Sequence, residues 1–93
     1  MNITKIKKLY VKTEDAVRRA DGQRVHLWDM LLPYMSEEFH NESCYIDVAH
    51  GDGLVVLFEE KFDCVAKSYP VSYIIDLIER GVTCITPDQL ISI

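Results

Sequence analysis

The chain has 93 residues, of which 48% are hydrophobic and 27% charged, and its formal net charge is −5. These values are typical of one small globular domain and exclude a disordered chain. No apolar run reaches the roughly 18 residues of a membrane span, and the N-terminus lacks the apolar core of a signal peptide. We therefore expect residues 1–93 to form a single domain.

A first amphipathic helix is expected over residues 3–20, and Asn2 can cap its start. At 3.6 residues per turn, one side of this helix collects the apolar residues Ile3, Ile6, Leu9, Tyr10, Val17 and Ala20. The opposite side carries Lys5, Lys8, Lys12 and Arg19. The competing interpretation is a strand over residues 6–11, followed by a shorter helix that Thr13 caps.

A second amphipathic helix is expected over residues 25–39. Its apolar side would bury Val25, Trp28, Leu31, Leu32, Met35 and Phe39. Pro33 is expected to kink this helix or to split it after Leu32, because proline cannot donate a helical hydrogen bond. His26 and Asp29 lie on the polar side with Glu37, and we interpret the first two as a solvated surface pair rather than a proton-transfer pair.

A β-hairpin is expected next. Residues 44–50 alternate with period two, residues 51–53 read Gly-Asp-Gly, and residues 54–58 are β-rich. A two-residue loop would place Ile46 opposite Glu59. A three-residue loop with Gly53 in the left-handed conformation places Ile46 opposite Phe58 and Val48 opposite Val56. We favour this register because it pairs apolar side chains.

The remaining segments predict a third strand, a helix and a short fourth strand. Residues 62–67 alternate again, and residues 82–85 form a short β-rich segment. Between them, Pro70 suits the first turn of a helix that Gly81 ends, with Val71, Ile74, Ile75 and Ile78 on its apolar side. Thr86-Pro87-Asp88-Gln89 is a capping box. The predicted class is α+β, with two N-terminal helices, an antiparallel meander of three to four strands and one amphipathic helix near the C-terminus.

The cysteines indicate a reducing compartment. Cys44, Cys64 and Cys84 are an odd number, are widely spaced and lie among apolar neighbours. This pattern is untypical of a disulfide scaffold, so we expect three reduced, mostly buried thiols in a cytoplasmic protein.

One cluster of potential ligands lies in residues 40–52, namely His40, Cys44, His50 and Asp52. Together these residues raise the hypothesis of a small metal-dependent or Cys/His enzyme. On an extended strand, however, Cys44 and His50 are about 20 Å apart, too far for one coordination sphere or one catalytic dyad. No phosphate-binding loop, nucleophile elbow or zinc motif occurs elsewhere. We therefore expect no catalysis, no metal and no cofactor.

The charge distribution favours protein binding instead. Residues 1–24 hold seven basic and three acidic residues, a balance of +4, whereas residues 25–93 hold three and twelve, a balance of −9. We interpret the chain as a non-catalytic module that binds another protein, a small acidic regulator or inhibitor of a nucleic-acid-handling protein. Its predicted binding residues are Glu37, Glu38, Glu42, Glu59, Glu60 and Asp63.

Two further contacts are considered. Nucleic-acid binding is the alternative function, through the basic residues Lys5, Lys8, Lys12, Arg18 and Arg19, although the net charge disfavours it. The chain ends in the apolar sequence Leu-Ile-Ser-Ile, residues 90–93. That segment either docks on the core or contacts another chain, a homodimer being one such arrangement.

Overall fold

The computed structural model describes residues 3–15, 22–49, 53–59 and 66–91. In these residues it contains three α-helices and one three-stranded antiparallel sheet, which confirms the mixed α+β class. The helices are α1 (Ile3–Asp15), α2 (Gly22–Leu31) and α3 (Val71–Glu79), and the strands are β1 (Cys44–Ala49), β2 (Gly53–Glu59) and β3 (Ala66–Pro70). The strand order is β1-β2-β3, so β1 and β3 form the two edges.

Helix α1 decides between the two interpretations of the N-terminal segment. Residues 3–15 are helical, so the strand over residues 6–11 is wrong. Ile6 is fully buried, and Lys5, Lys8 and Lys12 are exposed on the other side, as predicted. Thr13 is buried within the helix, where its hydroxyl donates to the carbonyl oxygen of Leu9 at 2.6 Å. The predicted continuation over residues 16–20 lies outside the described residues.

The second predicted helix is interrupted at Pro33. Helix α2 ends at Leu31, a 3-10 turn covers Leu32–Tyr34, and a second turn covers Glu37–Phe39. The split that Pro33 predicts is therefore confirmed, whereas one helix continuing to residue 39 is wrong. Ser36 lies between the two turns in an extended conformation, with ψ of 163°.

The buried face of α2 also differs from the prediction. Trp28 and Leu31 are buried as expected, but Val25 is 61% exposed and Leu27 is fully buried. Helix α2 contacts both α1 and β1, and these contacts centre its buried face between Leu27 and Trp28. Val25 lies roughly 110° from that centre and therefore points away from the core.

The hairpin forms, but with a register two residues away from the predicted one. Ile46 pairs with Val56 and Ala49 with Gly53. The predicted pairs, Ile46 with Phe58 and Val48 with Val56, are therefore wrong. An even shift keeps every side chain on its predicted face, so the hydrophobic pattern alone cannot distinguish the two registers. Gly53 has φ of 82°, which confirms the predicted left-handed conformation.

Strand β3 extends further along the chain than predicted. It runs from Ala66 to Pro70 and pairs antiparallel with β2, whereas the expected strand covered residues 62–67. Residues 60–65 lie outside the described residues. The extension is stabilised by Tyr69, which is 2% exposed and pairs with Val56 on the core face of the sheet.

Helix α3 matches its prediction closely. Its four apolar positions, Val71, Ile74, Ile75 and Ile78, are all buried. The helix ends in a Schellman motif, in which the N–H of Val82 donates to the carbonyl oxygen of Leu77 at 3.1 Å. Gly81, at the left-handed position of this motif, has φ of 92°.

The predicted fourth strand over residues 82–85 is wrong. In the described part of the chain this segment makes one parallel bridge, between Met35 and Ile85. The N–H of Ile85 donates to the carbonyl oxygen of Tyr34, and the N–H of Ser36 donates to the carbonyl oxygen of Ile85, each at 2.8 Å. The segment therefore fastens the extended residues between the two 3-10 turns instead of extending the sheet.

The segment after residue 85 follows the capping-box prediction. The N–H of Thr86 donates to the side-chain oxygen of Gln89 at 3.1 Å, at the start of the 3-10 turn Pro87–Gln89. Leu90 then docks on the core with 7% exposure, whereas Ile91 is 65% exposed.

Phe39 lies at the centre of the core between the sheet and α2. Its ring centroid is 5.3 Å from that of Phe58, 6.1 Å from that of Tyr69 and 6.4 Å from that of Trp28, all edge to face. Such aromatic pairs add to the free energy of hydrophobic burial. Phe39 therefore fixes the second 3-10 turn against both the sheet and α2.

Candidate functional site

An open groove of about 450 Å³ lies between α2 and the edge strand β1. We call it the α2–β1 groove, and its lining residues are Arg24, Val25, Trp28, Tyr45, Ile46 and Asp47. Trp28 and Ile46 are buried at its base, with 7% and 5% exposure. Val25 and Tyr45 stand at its sides with 61% and 46% exposure, so the groove presents apolar and aromatic surface to solvent.

The groove follows from two features of the local structure. Alternation along β1 turns Ile46 towards the core and Tyr45 towards the other face of the sheet. The buried face of α2 is centred between Leu27 and Trp28, which leaves Val25 exposed beside the groove. Neither Val25 nor Tyr45 was identified from the sequence as a binding residue, because their exposure depends on how α2 sits against β1.

One end of the groove is occupied by an ion pair. The guanidinium Nη1 of Arg24 lies 3.1 Å from Oδ1 of Asp47. The same Oδ1 accepts a hydrogen bond from the main-chain N–H of Val48 at 2.8 Å. Near the start of β1, the N–H of Cys44 donates to the carbonyl oxygen of Asn41 at 3.2 Å. Two alternate N–H groups of this edge strand are therefore already hydrogen-bonded locally.

Exposed carboxylates lie beyond the other end of the groove, outside its lining. Residues 37–42, which we call the acidic segment, carry Glu37, Glu38 and Glu42, and all three side chains are exposed. Phe39, within this segment, contacts both Trp28 and Phe58. Phe58 pairs with Cys44, so the acidic segment lies at the Cys44 end of β1, away from the Arg24–Asp47 pair.

Three of the six predicted acidic binding residues have described side chains. Glu37, Glu38 and Glu42 lie in one short segment, and none forms an ion pair with any other described residue. Glu60 and Asp63 lie outside the described residues, as does the side chain of Glu59. The predicted register would also have set Cys44 opposite Glu60, but Cys44 pairs with Phe58.

Three of the five predicted basic residues lie in the described part of the chain. Lys5, Lys8 and Lys12 are exposed along one side of α1, and none forms an ion pair within the described part of the chain. Their neighbour Lys7 pairs with Glu79 of α3. Arg18 and Arg19 lie outside the described ranges.

The candidate metal and Cys/His residues do not gather in the region that can be described. Nε2 of His40 lies 3.2 Å from the carbonyl oxygen of Met35. Cys44 is buried, and burial raises the pKa of its thiol, which disfavours the reactive thiolate. His50 and Asp52 lie outside the described residues, and within them no three His, Cys, Asp or Glu residues could hold a metal ion.

The other two cysteines are Cys64 and Cys84. Cys84 is exposed, which contradicts the prediction of a mostly buried thiol. Residues 82–85 make a single bridge through the buried Ile85 rather than a sheet strand, and Cys84 beside it faces solvent. Cys64 lies outside the described residues. His26 and Asp29 are both exposed on α2, as the interpretation of a solvated pair requires.

A smaller groove of about 340 Å³ separates α1 from α3, and Tyr10 lies in it. Burial raises the pKa of Tyr10 to about 12, aided by its hydrogen bond to Glu14 and by the charge of that carboxylate, while the Ser72 hydroxyl opposes the shift. The hydroxyl of Tyr10 thereby links α1 to the first turn of α3. This linkage is structural and offers no nucleophile.

The raised pKa of Tyr10 predicts a loss of stability at high pH. An unfolded tyrosine has a pKa of about 10, so the fold stabilises the neutral phenol. This contribution is present below pH 10 and is lost as the pH rises through about 12. In an absorbance titration at 295 nm, Tyr10→Phe should remove the transition near pH 12, and Tyr73→Phe should retain it. An unchanged titration of the Tyr10 variant would contradict the assignment.

No family model, curated protein or solved structure matches this chain. In the described ranges, no helix has both the length and the apolar character needed to cross a bilayer.

Proposed function

We propose that this protein is a non-catalytic module that binds another protein, acting as a small acidic regulator or inhibitor of a nucleic-acid-handling protein. The observation that carries the proposal is the position of the α2–β1 groove, an apolar surface that opens beside the exposed carboxylates of the acidic segment. Interfaces commonly combine a central apolar or aromatic patch with a charged border.

The groove supplies the residue types that dominate binding energy at interfaces. Trp and Tyr are enriched among the residues whose truncation weakens protein complexes most, and here Trp28 and Tyr45 line the same groove. Carboxylates at the border of such a patch mainly accelerate association and select oppositely charged partners. The two features therefore provide affinity and selectivity at one surface.

The class of partner is inferred from charge. The net charge of −5 and the carboxylates of residues 37–42 present a negative potential that a basic protein surface would attract. Proteins that handle nucleic acid carry such basic surfaces to bind phosphates. A small acidic chain could occupy one of these surfaces in place of the phosphates.

The charge contribution gives a measurable expectation. After a partner has been isolated from the native lysate and identified, reversing Glu37, Glu38 and Glu42 to Lys should lower its association rate about tenfold or more at low salt. The effect should shrink at high salt, because exposed charges are screened. Surface plasmon resonance would report the rate, and the matched control reverses Lys5, Lys8 and Lys12 to Glu. Equal losses for both triple variants would contradict an acidic binding surface.

Nucleic-acid binding is the second candidate function, since Lys5, Lys8 and Lys12 are exposed along α1. For each phosphate neutralised, log K should fall by about 0.9 per unit of log salt. Fluorescence anisotropy with a labelled 30-base-pair duplex would measure this slope. Tight binding at physiological salt, abolished when the three lysines are replaced by Ala, would replace the proposed function with this one.

A further inference from the structure

We infer that the α2–β1 groove receives a basic, apolar-tipped segment of the partner protein: an apolar side chain enters the groove, a neighbouring Lys or Arg faces the acidic segment, and no strand is added to β1. This inference rests on the proposed function and specifies the chemistry of the partner segment. Three features of the groove support it, namely its apolar lining, its hydrogen-bonded strand edge and its asymmetric charge.

The apolar lining calls for a side chain as the occupant. Val25 and Tyr45 are 61% and 46% exposed, and the buried Trp28 and Ile46 form the base between them. The volume of about 450 Å³ lies within the range of ligand pockets, about 300–1,000 Å³. Covering such a surface with an aliphatic or aromatic side chain removes apolar area from water on both molecules.

The edge of β1 is poorly suited to strand addition. An added strand would need the outward N–H groups of β1, which belong to alternate residues. Two N–H groups of that alternate set already donate hydrogen bonds to neighbouring residues. The N–H of Cys44 donates to the carbonyl oxygen of Asn41, and the N–H of Val48 donates to Oδ1 of Asp47. Asp47 also holds Arg24, so a charged pair covers this end of the edge. Charged groups on an edge strand are a common protection against pairing with another chain.

The charges of the groove determine the orientation of the segment. At one end, Arg24 and Asp47 neutralise each other. Beyond the other end, Glu37, Glu38 and Glu42 have no ion-pair partner among the described residues. A cationic side chain beside the apolar one would find its complement at that end. A second copy of this chain is less suited, because each copy carries a net charge of −5 and the two would repel each other.

The test selects the ligand without assuming its identity. A phage-displayed library of random linear peptides is panned against the full-length protein, and a synthetic copy of the most enriched peptide is titrated by fluorescence anisotropy. The enriched peptides should share an apolar residue within about three positions of a Lys or Arg. Val25→Glu should weaken binding of the synthetic peptide at least tenfold.

The matched control is Val11→Glu, because Val11 is an exposed valine of α1 with 57% exposure and does not line the α2–β1 groove. It should bind the peptide as the unaltered protein does. Tyr45→Ala provides a second groove variant if Val25→Glu fails to fold. Replacing Glu37, Glu38 and Glu42 with Gln should weaken binding several-fold at low salt and less at high salt.

Several outcomes would overturn the inference. One is that the enriched peptides lack basic residues. Another is that they bind Val25→Glu and Tyr45→Ala as tightly as the unaltered protein. A third is that panning against the unaltered protein enriches no peptide more than panning against Val25→Glu does. Close contacts between peptide and β1 α-protons in nuclear Overhauser spectra would instead show strand pairing. A partner whose capture depends on the acidic segment but not on Val25 and Tyr45 would overturn this inference, because binding would then use the acidic surface without the groove. Failure to capture any partner through the acidic segment would remove the proposed function itself.

Discussion

Phe39→Ala is expected to lower the free energy of unfolding by about 3–5 kcal/mol, the usual cost of truncating a buried Phe. Phe39 is fully buried, and its ring contacts Trp28, Phe58 and Tyr69. The loss combines the removal of apolar surface from the core with the cavity left between the sheet and α2. Chemical denaturation followed by circular dichroism would measure it.

Tyr73→Ala is the matched control for Phe39→Ala. Tyr73 is an aromatic residue of α3 with 37% exposure, so its truncation should cost much less than that of Phe39. Similar losses for the two variants, or a loss below about 1 kcal/mol for Phe39→Ala, would contradict the central position of Phe39.

Gly53→Val is expected to destabilise the fold by about 1–2 kcal/mol. The cost arises from the backbone, because φ is +82° and a β-branched residue strongly disfavours that region. It does not arise from crowding, since an added Cβ would lie 3.5 Å from Oε1 of Glu14, an ordinary contact. The thermal midpoint and its enthalpy would give the change in free energy.

Gly53→Asn tests whether the cost arises from backbone conformation rather than from crowding, because Asn tolerates the left-handed conformation better than Val does. The Asn variant should therefore keep more of the stability than the Val variant. An unchanged midpoint for Gly53→Val, or a coupling constant that shows negative φ at Gly53, would contradict the left-handed conformation of Gly53.

The elements that could be predicted are those whose patterns are local. Helix α3 has four apolar residues at helical spacing and a glycine after its end, and each behaves as the pattern requires. The hairpin was located correctly because alternation and the Gly-Asp-Gly sequence are properties of adjacent residues. Its register was not, because shifts of two residues preserve the pattern of buried faces. The observed register brings Phe58 opposite Cys44, beside Phe39, and that preference comes from tertiary packing.

The features that could not be predicted depend on contacts between distant segments. The exposure of Val25 follows from the rotation of α2 against α1 and β1, which the helical pattern alone does not define. The segment containing Cys84 has a β-rich composition, yet the described structure offers it one bridge at Met35 rather than a sheet edge. The sequence did not predict the α2–β1 groove, because the groove also depends on contacts between distant segments. The acidic residues beyond its end were identified from charge alone.

The bridge between Met35 and Ile85 has a consequence for the order of folding. It joins residues 50 positions apart, and closing such a loop in an unstructured chain costs roughly 3.5 kcal/mol of conformational entropy. The cost falls once the hairpin and α3 have shortened the effective path between the two residues. The bridge is therefore expected to close after those elements form, so that the turn bearing Glu37 and Glu38 reaches its final position late in folding.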